Sequence, residues 1–207
     1  MKERPILFNS AMVRAILEGR KTQTRRIIKV QPESDGFGLR YITESSNPKN
    51  EGKYFWSIND ATGIKEKSDL FSCPGGKVGD RLWVREAFAI IPCTAYAMSD
   101  GVQQTINPDD PYNAAIYRAG WERSAPRWIP SIHMPRWACR IQLEITDIRI
   151  QRLLDISRDD ARAEGFTSEI PIYGFTSTWR DIYGEADIDQ NVWVWVIEFK
   201  RVPNRDF

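Results

Sequence analysis

Apolar residues recur along this chain in two rhythms. In SAMVRAILE (residues 10–18), Met12, Val13, Ile16 and Leu17 fall on one helical stripe, with Ser10 as the candidate N-cap. Gly19 follows, where helices commonly end in a left-handed residue. TRRIIKV (24–30) predicts a strand that Pro32 and the Gly36/Gly38 pair interrupt. Residues 39–43 and 53–58 predict two more strands across a polar loop. CPGGKVGD (73–80) is turn chemistry, and RLWVREAF (81–88) predicts the strand after it. Alternation continues through residues 137–153, where Ile141, Leu143 and Ile145 share a face, and such a length predicts a bulge or a bend. ISRDDARAEG (156–165) predicts a helix with Ser157 as cap, Asp159 and Asp160 in its first turn and Gly165 as its stop. A further helix is predicted over 176–183, ending near Gly184, and NVWVWVIEFKRV (191–202) closes the chain as a β-prone strand.

Residues 89–130 break this order. They hold five prolines and few regular apolar periods, and read as an insertion with one short strand near residues 114–117. The expected fold is α+β: a single domain over 1–207, its mostly antiparallel strands curled into a small barrel, with about three short helices and the inserted loop region. A chain of 207 residues needs no disulfide or metal to hold a core. Eight Trp, seven Tyr and nine Phe exclude disorder. No apolar run approaches the ~20 residues of a membrane span, and the start of the chain does not resemble a signal peptide. The expectation is a cytoplasmic protein without membrane contact.

Charge changes the picture locally rather than globally. The 29 basic and 28 acidic residues nearly cancel, yet six basic residues between Arg14 and Lys29 face Glu18 alone. Five arginines between Arg118 and Arg140 face Glu122 alone, while residues 155–189 carry nine acids against three arginines. Two basic segments can hold a phosphate, or merely neutralise the acidic one. Cys73, Cys93, Cys139 and the single His133 lack metal-ligand spacing, so no metal or other cofactor is expected.

Candidate chemistry concentrates in ILEGRKTQTRRII (16–28). A lysine is a poor base near neutrality because its ordinary pKa is ~10.4, but desolvation and neighbouring cations disfavour its charged form. Arg20, Arg25 and Arg26 can act as those cations on Lys21. The Thr24 hydroxyl is then a candidate nucleophile toward a carbonyl, with Lys21 taking its proton and a carboxylic acid elsewhere protonating the leaving group. One geometric objection stands: in a continuous strand, residues 21 and 24 point to opposite faces, so the chain must turn after Gly19 for them to meet. Without that turn the segment reads as a basic strand edge that binds phosphate, or merely as a solvated one. Near Arg127, Trp128 and His133, Arg136 and Trp137 offer a stacking wall for a base; the alternative is that Trp128 and Trp137 plug the ends of a barrel. Glu86 is a second candidate acid, unless it pairs with Arg85.

Gly19, Lys21 and Arg26 fit the Gly-x-Lys-x-x-Glu-x-Arg signature of the ASCH superfamily, with Thr24 in place of its Glu. That departure, together with Thr22, resembles the Gly-x-Lys-Thr-x-Thr-x-Arg pattern of small bacterial N4-acetylcytidine amidohydrolases. KVGDRLWV (77–84), ARAEGF (161–166) and WVIEFKRV (195–202) are similar to further segments of the superfamily, and the whole resembles its longer phage and prophage members. The resemblance implies a PUA-like β-barrel and metal-independent removal of an acyl group from the exocyclic nitrogen of a cytosine nucleoside. It implies Thr24 as nucleophile, Lys21 as proton acceptor and Glu164 as proton donor. Arg26 then steadies the oxyanion, and Arg20, Arg136 and Trp137 contact a modified pyrimidine nucleoside or RNA. An RNA- or nucleotide-binding module without catalysis, or a ribonuclease, are the alternatives.

Overall fold

The computed structural model describes residues 1–203 except 97, 124 and 125. In chain order the first half comprises β1 (Glu3–Leu7), α1 (Ser10–Leu17), β2 (Gln23–Ile27), β3 (Gly38–Tyr41), β4 (Tyr54–Asp60), β5 (Gly63–Lys67) and β6 (Arg81–Arg85). Then come β7 (Phe88–Pro92), β8 (Thr105–Asn107), β9 (Asp110–Tyr117), β10 (Gln142–Arg152), α2 (Arg158–Ala163), α3 (Pro171–Tyr183), α4 (Ala186–Asp189) and β11 (Trp193–Val202). The strands form a five-stranded sheet in the order β1-β6-β10-β11-β2 and two three-stranded sheets, β3-β4-β5 and β7-β9-β8. All pairings within them are antiparallel except β1 with β6.

The apolar run in β11 has a direct cause. Trp195, Ile197 and Phe199 pack with Leu82, Leu143, Ile145 and the α1 residues Val13 and Ile16. Val194 and Val196 pack with Ala161, Phe175 and Trp179 from α2 and α3. A strand buried on both faces has no polar side to alternate with. In β10 the register shifts between Ile145 and Asp147, which places the expected bulge at Thr146.

A closed barrel is not found among the described residues. β1 and β2 are the two edges of the large sheet, and no ladder joins them. Arg26 crosses the seam instead, its Nη2 donating to the Leu7 carbonyl at 3.0 Å. Other local expectations shift by a few residues. Asn9, not Ser10, caps α1, its side chain accepting from the Met12 N–H at 2.9 Å. α3 begins at Pro171 rather than 176, because a proline at the first turn has no N–H to leave unpaired. The strand expected over 81–88 is two, β6 and β7, with Glu86 between them, and Trp137 lies in a 3-10 turn (Arg136–Ala138) ahead of β10. The stretch 89–130, read as a loop region with one short strand, carries β8, β9 and most of β7 as a regular sheet; it includes residues 97, 124 and 125, outside those described. No helix among the described residues is long and apolar enough to cross a membrane.

Asp80 ties the start of the chain to the turn before β6. Its carboxylate accepts from the backbone N–H of Lys2 at 2.7 Å and of Lys77 at 3.2 Å. Gly76 is left-handed (φ +114°), and a Cβ there would lie 2.7 Å from Asp80 Oδ2, so the turn requires glycine. Burial alone raises the Asp80 carboxyl, but the Lys2 and Lys77 N–H donors and the nearby ammonium groups hold it below its ordinary value. A depressed carboxylate contributes stability that is present above its unfolded pKa of ~3.9 and is lost as pH falls through the lower folded value. Asp80→Asn is therefore expected to lower stability by about 1 kcal/mol near neutral pH and to flatten the acid limb of a urea-unfolding profile. An acid limb identical to that of the parent protein would contradict this.

Candidate active site

The helix-to-strand junction after α1 builds the site. Gly19 takes φ +76°, and the N–H groups of Arg20 and Lys21 both donate to the Ala15 carbonyl at 2.9 and 3.0 Å. The chain then runs against the end of α2: Thr22 N–H donates to the Ala163 carbonyl at 2.8 Å, and Lys21 forms an antiparallel bridge with Glu164. Ser157 and Asp160 close a capping box at the start of α2, and Glu164 is its C-cap. Gly165 permits the close approach. It is left-handed (φ +102°), and a Cβ there would lie 3.0 Å from the Ala15 Cβ and 3.3 Å from the Lys21 Cβ.

This junction buries an ionic cluster. Lys21 is 2 % exposed and Glu164 5 %. The Lys21 ammonium donates to Glu164 Oε2 at 2.7 Å and to the Glu164 carbonyl at 3.0 Å. Arg25 Nη1 donates to Glu164 Oε1 at 3.3 Å, and its Nη2 lies 3.3 Å from Asp160 Oδ2 and from Gln151 Oε1. One carboxylate thus holds two cations. Burial lowers the Lys21 pKa; the Glu164 charge and hydrogen bond oppose the shift, and Arg26 and Arg25 add to it.

Thr24 and Arg26 share the neighbouring face of β2. Thr24 Oγ1 accepts from Arg26 Nη1 at 3.1 Å, which also donates to the Arg25 carbonyl at 3.1 Å. The Phe8 ring lies 5.4 Å from the Arg26 guanidinium and 5.6 Å from the Lys21 ammonium. Thr24, Arg25, Arg26 and Glu164 line one wall region of a recess that α3 completes with Phe175, Trp179, Ile182 and Tyr183. Its volume is about 20 Å³, room for roughly one water. A wider cleft of about 240 Å³ shares Glu164 with it and is lined by Arg14, Arg20, Phe166 and Thr178.

No family profile, curated protein or solved structure matches the chain. The chemistry of the site therefore rests on its own geometry.

The residues expected to act together are brought near one another in part. Lys21, Glu164, Thr24 and Arg26 converge on the junction, but no hydrogen bond joins Lys21 to Thr24. The odd spacing decides this: Lys21 and Arg25 meet the same carboxylate, while Thr24 and Arg26 pair with each other. Arg20 stands at the cleft, donating to Glu18 Oε2 at 2.7 Å and to the Gly165 carbonyl at 2.8 Å. Arg136 and Trp137 line neither space. Arg136 pairs with Glu3 at 2.9 Å and stacks on Trp83, and Trp137 packs against the cluster of Phe88, Tyr117 and Met134. Glu86 does not pair with Arg85. Both its oxygens accept from Arg140 at 2.8 Å, far along the chain from the Thr24 site, and Glu86 lines neither space. Among the described residues no group of three His, Cys, Asp or Glu side chains is placed to hold a metal ion.

Arg25 and the α3 aromatics complete the site beyond the residues the motif singles out. Phe175, Trp179 and Tyr183 stand four apart, one stripe of a helix, so the α3 contribution was open to a periodicity argument. Strand parity sets Arg25 and Arg26 on opposite faces, and long-range partners do the rest: Arg25 meets the Glu164 and Asp160 carboxylates, Arg26 the Leu7 carbonyl.

Proposed function

We propose that this chain is an ASCH-type amidohydrolase, with a PUA-like ancestry for its open sheet, that removes an acyl group from the exocyclic nitrogen of a cytosine nucleoside. The observation that carries the reading is the buried Lys21–Glu164 pair, whose carboxylate lines the same recess as the Thr24 hydroxyl and the Arg26 guanidinium. A buried lysine held below its ordinary pKa beside a carboxylate is a proton store that exchanges one proton at little cost.

In the first step Thr24 Oγ attacks the acyl carbon and its proton passes to the Lys21–Glu164 pair. Arg26 supplies a donor for the oxyanion. As the intermediate collapses, the C–N bond breaks and the pair returns a proton to the departing nitrogen, leaving cytidine and an acyl-threonine ester. Water then gives its proton to the pair, attacks the ester and releases the carboxylic acid, while Thr24 recovers its hydrogen. Lys21 makes no hydrogen bond to Thr24 in the free protein and does not line the recess, whereas the Glu164 carboxylate lines it with Thr24, so Glu164 is the member of the pair assigned to take the hydroxyl proton once substrate is bound. A recess of about 20 Å³ must widen to admit a base, and the exposed last turn of α3, with Ile182 and Tyr183, is the wall that yields.

The test is incubation with N4-acetylcytidine, following the ultraviolet change to cytidine. Turnover that persists with little change as salt is raised is the expected result. One observation favours a second reading, an RNA- or nucleotide-binding module: Arg14 and Arg20 line the cleft beside the recess. That reading predicts no turnover and binding of single-stranded RNA that weakens with salt, by a log–log slope of about −0.7 for each phosphate neutralised.

A further inference from the structure

Trp179 is 4 % exposed, lies between the rings of Phe175 (5.6 Å) and Tyr183 (4.5 Å), and lines the recess. Its indole nitrogen is buried and finds no hydrogen-bond acceptor among the described residues, and the same holds for Arg25 Nε. Buried donors in folded proteins are paired almost without exception, since an unpaired one keeps its full desolvation penalty. Two such donors belong to residues of one small recess that also presents Thr24 and Glu164. Other unpaired buried donors are scattered through the protein, but these two stand together at one recess, where an acceptor oxygen entering it can pair with them.

We propose that Trp179 is a specificity-determining residue whose indole N–H donates to the ring carbonyl of a pyrimidine base, with Arg25 as a second donor to the same edge. The inference rests on the amidohydrolase reading for the identity of the base. The ring carbonyl is assigned here, rather than the acyl oxygen, because Arg26 already offers a donor next to the Thr24 hydroxyl, where the acyl group must lie. Tyr183, 39 % exposed at the mouth, gives the base a ring to slide against. A site that hydrogen-bonds a substrate group rejects the analogue lacking it more strongly than an apolar pocket rejects a missing methylene. Trp179 thus favours oxo-pyrimidines over rings that lack the carbonyl.

The experiment compares two substrates: N4-acetylcytidine and the N-acetylated 6-aminopyridin-3-yl ribosyl C-nucleoside, which keeps the acylated amine and the ring nitrogen but lacks the ring carbonyl. The parent protein is expected to favour N4-acetylcytidine by about tenfold in kcat/KM, the worth of one such hydrogen bond. Trp179→Phe should bring the two substrates within about twofold, through loss on N4-acetylcytidine alone, with the melting temperature kept or raised. An undiminished preference in Trp179→Phe, or equal losses on both substrates, would overturn the inference while leaving the hydrolase reading intact. If the parent protein turns over neither compound, the hydrolase reading fails, and calorimetric Kd values for cytidine and the deacylated C-nucleoside decide the inference alone. Convergence of those two values in Trp179→Phe supports it; absence of cytidine binding overturns it. Should the variant not fold, the indole N–H resonances of the parent protein decide between the outcomes. One must shift with cytidine and stay in place with the carbonyl-free analogue, and two identical responses would overturn the proposal.

Discussion

Thr24→Ala is expected to lower kcat on N4-acetylcytidine by about 10³-fold or more, because among the described residues no other hydroxyl is paired with Arg26 at the recess. The structural cost of the change is small by comparison. Arg26 loses one acceptor but keeps the Arg25 and Leu7 carbonyls, so the expected destabilisation is about 1 kcal/mol. Thr24→Ser retains the hydroxyl and should retain measurable turnover. Activity and melting temperature must therefore separate: a collapse in kcat with a nearly unchanged unfolding curve. Turnover in Thr24→Ala at more than a tenth of the parent rate would remove Thr24 as nucleophile and leave water activated by the Lys21–Glu164 pair as the attacking group.

The largest effect on stability is expected at Glu86. Its carboxylate and the Arg140 guanidinium are both buried and joined by two hydrogen bonds of 2.8 Å. Arg140 also donates to Gln103 at 3.0 Å and stacks on Tyr117 at 4.0 Å, so the pair links the β6–β7 junction to the β7-β9-β8 sheet. Removing one partner leaves a buried charge without compensation, and Glu86→Ala should cost about 3–5 kcal/mol, or about 10 °C in melting temperature for a chain of this size. Burial raises the Glu86 carboxyl despite Arg140, which means desolvation outweighs the attraction. A raised carboxyl withdraws stability as pH rises through its folded pKa, so the ionised pair is not a net source of stability. The double replacement Glu86→Leu with Arg140→Met should therefore recover most of what Glu86→Ala loses. Additive losses in the double variant would contradict this account of the pair.

The elements whose cause is local were legible in the sequence. The Ser157 cap of α2, the Gly19 and Gly165 stops, the shared face of Ile141, Leu143 and Ile145, and the β-prone run of β11 all follow from spacing and residue type. What depends on distant partners was not. The capping preference does not separate Asn9 from Ser10 until the chain entering α1 is placed. The prolines of residues 89–130 argue against a sheet, yet Pro92 ends β7 and Pro111 lies near the start of β9, where the ladder tolerates them. Arg136 and Trp137 had the right chemistry for a stacking wall, but Glu3 and Trp83 hold the first and the Phe88 cluster the second. At the site itself, the parity of residues 21 and 24 was the most informative sequence feature. It separated Lys21 from Thr24; the Glu164 carboxylate, 143 positions from Lys21, bonds the lysine and lines the same recess as the threonine.

Arg26 ends up with two duties on one guanidinium. Nη1 holds the threonine oxygen and Nη2 latches the carbonyl of Leu7 across the open seam of the sheet. A planar fork can serve two addresses at once, whereas a lysine has a single nitrogen to offer. The position is consequently intolerant of even the mildest basic exchange, and whatever ligand draws this cation toward itself also tugs on the margin of the sheet.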